Sequence, residues 1–340
     1  MTRSAGLGHN PNSEDRIGLC PAPAVFPLVV CDHAARRAGV NVRDAAGDAE
    51  LLAHTSYTAY KAYSYDLMMV FIDTVVEAEA MGCRIERPED DNAFYVGPPR
   101  GRIKPADPEK GGRMPVVLRA IGRLRDRCAD SVPILGSLKG PFSLASFLAG
   151  FEEFLEWTIV DKPRAHETLK LALANQLDYA SAIVRAGGVP FIGDPVASGS
   201  LVSPEVFHEF CLPYLTQLVR HIHRHGVWTG LHVCGNTARI IADLAATGAD
   251  VLSLDEVDLS EVRRELGPQA VLMGNVSTEL VRTGRPGQVL AAARACLGAA
   301  GPRLVLSTAC DVPADAPEEN VRAIVEAGRS DRSDASDRSD

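Results

Sequence analysis

The chain has 340 residues, of which 46% are hydrophobic and 23% charged, enough for one large core and too much apolar content for a disordered body. Asp and Glu total 44 against 35 Lys and Arg, a formal charge of −9 with no basic stripe to offset it, so a nucleic-acid surface is not expected. No apolar run reaches the roughly 18 residues of a membrane span, and residues 1–14 lack the apolar centre of a signal peptide, so a soluble, cytoplasmic protein is expected. Eight cysteines follow no framework spacing, which makes thiols the default state.

Residues 1–22 are polar and rich in Gly, Pro and Asn, and residues 329–340 repeat Arg, Ser and Asp. Both ends read as flexible, the second as a disordered tail. Between them, over residues 23–328, eight short runs rich in Val, Ile and Leu predict strands at 28–31, 68–73, 133–138, 189–194, 227–233, 250–255, 270–275 and 303–307. Stretches of helical spacing separate them, among them 144–157, 163–186, 204–225 and 318–326. Ser203 before Pro204 has the character of an N-cap followed by Pro in the first turn. Buried runs alternating with helices predict a parallel sheet with helices outside it, and eight such units close into a single-domain α/β fold, the (β/α)8 TIM barrel. A doubly wound open sheet is the alternative, but no G-x-G-x-x-G follows an early strand.

Barrel chemistry sits at the C-terminal ends of the strands. Those ends carry Asp73, Asp194, residues 232–236, Asp255, Asn275 and Cys310. In Leu231-His232-Val233-Cys234-Gly235-Asn236-Thr237, positions i and i+2 face one side of a strand, so the His232 imidazole and the Cys234 thiol can converge. Cys310, after the last strand, offers a third soft ligand, and one His with two Cys is a zinc set that leaves a position open for substrate. Taken singly, such residues are more often buried thiols and satisfied core histidines. Two thiolates and a neutral imidazole would cancel the charge of the ion, which then suits activation of a thiol better than polarisation of a carbonyl.

Several motifs in the same order, spanning roughly residues 25–327, resemble the uroporphyrinogen decarboxylase superfamily. They are Gly140-Pro141-Phe142-Ser143-Leu144-Ala145, Asp194-Pro195-Val196-Ala197-Ser198-Gly199, His232 to Thr237, Leu272-Met273-Gly274-Asn275-Val276, and Cys310 with Pro317-Glu318-Glu319-Asn320-Val321. The pattern is most similar to the zinc-dependent corrinoid-protein:coenzyme M methyltransferase branch. The resemblance implies a barrel whose zinc, held by His232, Cys234 and Cys310, binds a thiol that takes a methyl group from a corrinoid carried by a partner protein. True decarboxylases have histidine where Cys310 stands, and an arginine-bearing N-terminal motif that is not found near residues 25–40, although Arg36 and Arg37 are present. Decarboxylation of a tetrapyrrole, a demethylase passing a substrate methyl group to a corrinoid protein, and a non-catalytic tetrapyrrole-binding barrel are the alternatives.

Asp73 falls where decarboxylases carry the acid that reads pyrrole N–H groups, and it can equally cap the helix that follows. Asp194 is expected either at the reaction centre or holding a loop stiffened by Pro195. Asp255 is expected as a fourth, exchangeable ligand or as a support for the His232 ring. Asn236 and Asn275 are candidates for cofactor contact, with Asn275 able to satisfy a strand end instead. His221, His223 and His225 precede a strand and so belong to the bottom of the barrel, where stability rather than catalysis is usual.

Overall fold

The computed structural model describes residues 24–86, 95–99, 101–128 and 132–337, so the N-terminal segment 1–22 lies outside the described residues. Eight strands form one parallel sheet: β1 (Ala24–Val25), β2 (Met68–Val70), β5 (Ile134–Lys139), β6 (Val189–Gly193), β7 (Gly230–His232), β8 (Val251–Ser253), β9 (Val271–Val276) and β10 (Leu304–Thr308). The intervening β3 (Arg84–Glu86) and β4 (Tyr95–Gly97) pair only with each other, antiparallel. The sheet order is β1-β10-β9-β8-β7-β6-β5-β2. Its two ends meet at Asp66: the Asp66 N–H donates to the Val25 carbonyl at 2.8 Å, and its carboxylate accepts from the Val25 N–H at 2.7 Å. The result is a (β/α)8 TIM barrel. Helices follow the strands around the outside; the longest, Lys162–Arg185, buries Leu169, Ala172 and Ile183.

Seven of the eight expected strands coincide with β2 and β5 to β10; the first does not. Residues 28–31 were expected to be extended, but β1 lies upstream at Ala24–Val25. Pro27 has no N–H for the ladder, and beyond it the chain coils, with Val30 bonding back to the Leu28 carbonyl at 3.1 Å. Leu28 and Val30 thereby leave the sheet and line the mouth of the barrel.

Two helices also differ from the simple pattern. Gly150, at φ +99°, divides the expected helix 144–157 into Pro141–Ala149 and Phe151–Val160. The helix expected at 204–225 contains a π turn over Phe207–Cys211, just before Pro213, which has no N–H to continue the ladder. Ser203 does cap its start, accepting from the Val206 N–H at 3.3 Å. The last helix runs from Glu318 to Asp337, so the chain past Arg329 starts as helix where an unstructured tail was expected. No Pro interrupts it, and Arg329 fastens it to the Ser64 carbonyl at 2.9 Å.

Candidate metal centre

At the C-terminal mouth of the barrel, His232, Cys234 and Cys310 offer one imidazole nitrogen and two sulfurs that all lie within 4.8 Å of one another. His232 is the last residue of β7, and Cys234 sits on the turn beyond it rather than on the strand. The Cys234 sulfur is 3.3 Å from His232 Nε2. The other ring nitrogen, Nδ1, is 3.0 Å from the Ser253 hydroxyl, directly across from His232 in the β7–β8 register. With the Nδ1 proton donated to Ser253, the Nε2 lone pair faces the sulfurs.

The two thiols titrate as a pair. A hydrogen bond from Cys310 holds the Cys234 thiol below the usual range against the effect of burial, while the same bond and burial push Cys310 well above it. The first proton of the pair therefore leaves Cys234. Burial disfavours the His232 imidazolium, but the Cys310 sulfur, with Asp311 and Asp255 beyond it, outweighs burial and raises its pKa.

The loop carrying Cys234 is held from two sides. Ser198, in the turn after β6, donates to the Cys234 carbonyl at 2.7 Å, and the Asp255 carboxylate accepts the Gly235 N–H at 2.7 Å. Gly235 itself stands at φ +71°, a left-handed conformation that glycine adopts without steric cost. Asn236 is exposed and accepts the Ala238 N–H at 3.0 Å, closing the same turn. Asn275 donates to the carbonyls of Asp255 and Val257 at 2.8 and 2.7 Å, tying the end of β9 to the segment after β8.

The remaining acids brace the scaffold. Asp194 is fully buried and accepts from the Ser143 N–H at 2.8 Å and the Ser143 hydroxyl at 2.5 Å, at the start of helix Pro141–Ala149. Burial raises its pKa to about 6, against the pull of those hydrogen bonds. The approach is so close that a Cβ on Gly140 would stand 2.1 Å from Asp194 Oδ2, which explains the glycine in the Gly140-Pro141 motif. Asp73 caps the backbone at Val75 at 2.9 Å and pairs with Arg113 at 2.5 Å, while Arg113 also holds Glu79. Asp73, Asp194, Asn236 and Asn275 are thus engaged by the fold, and none of them lines the cavity beside the sulfurs.

That cavity, of about 110 Å³, is bounded by Leu28, Val30, Met69, Phe71 and Phe191 on its apolar side. His232, Cys234 and Cys310 form one wall, and Ser137, Lys139, Thr74 and Asp311 supply further polar groups. Lys139, the last residue of β5, escaped the sequence reading because a lysine at a strand end ordinarily reaches solvent. Its position immediately before Gly140-Pro141 at a strand's C-terminal end was the available signal.

Fold and site together define a barrel enzyme class with a soft-ligand pocket at the mouth, and the comparisons agree. Residues 22–330 match the uroporphyrinogen decarboxylase (URO-D) family model, and the chain belongs to that family. Within it, the chain is 32% identical over 323 residues to the methylcobamide:CoM methyltransferase MtaA of Methanosarcina barkeri, covering 92% of this chain and 93% of the relative. It is also 32% identical over 286 residues to the methylated-thiol–coenzyme M methyltransferase of Methanosarcina mazei, covering 82% and 77% of the two chains. A solved methyltransferase from Methanosarcina mazei superposes with a TM-score of 0.84 at 29% identity, over 93% of this chain and 97% of that one. No helix among the described residues is long and apolar enough to cross a membrane.

Proposed function

We propose that the chain is a zinc-dependent methyltransferase that moves a methyl group between a corrinoid, carried by a partner protein, and a thiol such as coenzyme M. The observation that carries this reading is the convergence of His232, Cys234 and Cys310 within 4.8 Å beside an open cavity. Ligands of a tetrahedral zinc ion, at about 2.0 to 2.3 Å from the metal, stand roughly 3.3 to 3.8 Å apart, so the group needs little movement to hold one. Zinc bound there would supply the positive charge that lets an incoming thiol ionise at neutral pH.

The protein residues do the rest. Cys234, the more acidic of the thiol pair, is the first to offer a thiolate. Ser253 fixes the His232 ring, and Ser198 with Asp255 fixes the Cys234 turn, so the ligand atoms keep their aim without a cost in reorganisation. The apolar wall of Leu28, Val30, Met69, Phe71 and Phe191 would lower the polarity around the attacking sulfur. A methylated corrinoid presented at this mouth would supply the methyl group, its methyl–cobalt bond giving way as the sulfur–carbon bond forms, with that electron pair left on cobalt. Asp194, Asp73 and Asn275 serve as positioning residues, and Asp255 and Asn236 shape the turn after Cys234. The similarity to the methylcobamide:CoM methyltransferases supports this reading over tetrapyrrole decarboxylation.

Metal analysis of the purified chain, followed by a methylcobalamin assay against a panel of thiols, tests the proposal. About one zinc per chain with thiol-dependent demethylation is expected. A zinc-free chain that decarboxylates uroporphyrinogen overturns it.

A further inference from the structure

The cysteines of the fold differ in what their sulfurs face. Cys31 donates to the Ile72 carbonyl at 2.8 Å, Cys83 to the Phe147 carbonyl at 3.5 Å and Cys296 to the Asn275 side-chain oxygen at 3.6 Å. Cys211 is packed in the core. A thiol against an oxygen acceptor or an apolar shell has nothing to exchange with and stays inert. Cys234 and Cys310 are different, because each has the other's sulfur beside it. The two lie within 4.8 Å of one another, and the Cys310 thiol donates to Cys234.

Their place in the fold lets that gap close. Cys234 sits on the turn after β7 and Cys310 on the bend after β10, three strands further round the sheet, so the sulfurs reach each other over the mouth. Neither residue belongs to a strand or a helix. Thr308 donates to the Cys310 carbonyl at 2.7 Å and Ser198 to the Cys234 carbonyl at 2.7 Å, contacts that hold backbone oxygens and leave the side chains to turn. Bringing the sulfurs to the roughly 2.0 Å of a disulfide takes side-chain rotation and a local shift, with no ladder hydrogen bond lost. Both residues are half-buried and line the cavity, so a small solute entering the mouth reaches them.

We infer that Cys234 and Cys310 form a reversible disulfide pair, a redox modification site that decides whether the chain can take up its metal. The inference rests on the zinc reading for the metal, while the crosslink stands on the two sulfurs alone.

The oxidant is a peroxide. One thiolate attacks a peroxide oxygen, the O–O bond breaks, and the departing hydroxide takes up a proton to become water. The second thiolate then attacks the sulfur of the resulting sulfenic acid, the S–O bond breaks, and the hydroxide leaves as a second water. The sulfurs lose two electrons and the peroxide gains them. A disulfide has no thiolate to offer a metal, so His232 would remain as the one ligand of the three. Exchange with a dithiol breaks the sulfur–sulfur bond and restores the set.

The test exposes the full chain to hydrogen peroxide at about one equivalent, both as purified with its zinc and after removal of the metal by a chelator. Two of the eight thiols should disappear, with a tryptic crosslink between residues 225–239 and 304–322, the fragments that carry Cys234 and Cys310. The loaded chain should release about one zinc, read with a chromogenic chelator, and the stripped, oxidised chain should bind zinc at least about tenfold more weakly. Dithiothreitol should restore thiols and zinc binding together. In Cys234→Ser or Cys310→Ser the crosslink should be missing and the remaining sulfur should stop at a sulfenic acid, trapped with dimedone.

Oxidation that crosslinks other cysteines, runs to sulfinic acid without a crosslink, or is not reversed by dithiothreitol overturns the inference and leaves methyl transfer intact. Unchanged zinc binding by the crosslinked chain does the same. A crosslink that expels zinc reversibly, in a protein that methylates no thiol, supports the pair and removes the methyl-transfer reading.

Discussion

At the N-terminal end of the barrel, His221 and His225 share the Ser181 hydroxyl at 2.8 and 3.1 Å, and His223 pairs with Asp250 at 2.7 Å. At the C-terminal end, His232 has one nitrogen held by Ser253 and the other turned toward two sulfurs at the edge of a cavity. The lower end gathers three imidazoles and the upper end holds one, and the lower rings are partnered by hydroxyl and carboxylate groups of the fold. The upper ring turns its second nitrogen to two thiols that are themselves metal-ligand atoms. A histidine becomes a candidate ligand through what its second nitrogen faces, and not through how many histidines surround it.

The sharpest way to break this contrast is to empty each end in turn. Replacing Cys234 and Cys310 together by Ala should abolish stoichiometric zinc and lower methyl transfer at least about a thousandfold, while circular dichroism shows the barrel still folded. The matching lower change, His221→Ala with His225→Ala, should leave zinc content and turnover within about twofold. Loss of metal in the lower variant would remove the distinction between the two ends.

Asp194 joins the upper end to its supporting helix, and Asp194→Ala should cost about 2–4 kcal/mol in urea unfolding, because it strands the Ser143 N–H and hydroxyl in the core. Its pKa, raised by burial from 3.8 to about 6, adds a pH signature. The folded state keeps this proton longer than the unfolded chain. The group's stabilisation is therefore complete below about pH 4 and is lost as pH rises through about 6. Relative to Asp194→Asn, the wild-type protein should lose stability across that window, and a flat difference would remove burial as the cause.

The smallest effect belongs to the lower end. His223→Ala should destabilise by about 1–3 kcal/mol by leaving the Asp250 carboxylate, also bonded to the Thr229 N–H at 2.9 Å, without its ring partner. The value of kcat/KM per folded molecule should not change. A fall in kcat/KM would show that the two ends communicate.

Much of the barrel was legible because its signals are local. Seven strands announced themselves as short buried runs, and Ser203-Pro204 marked a helix start that the structure confirms. The first strand was misplaced because 28–31 is as apolar as a strand. Burial in a cavity wall and burial in a sheet leave the same trace in sequence, and only the position of Pro27 separated them. The supports of the site were hidden for another reason: Ser143, Ser198, Ser253 and Arg113 are ordinary polar residues whose partners lie 51, 36, 21 and 40 positions away.

The amino-acid sequence alone determined the alternation of elements, the His-x-Cys pair at one strand end and the candidate third thiol at another, since spacing and residue type are properties of the chain itself. Tertiary structure decided that Cys310 meets that pair, that Asp73 and Asp194 brace the scaffold rather than line the cavity, and that Lys139 and Asp311 face into it. Those outcomes depend on the register of β5 against β6 and β7 and on the closure of the ring. Both arise from contacts between residues far apart along the chain, which no local pattern encodes.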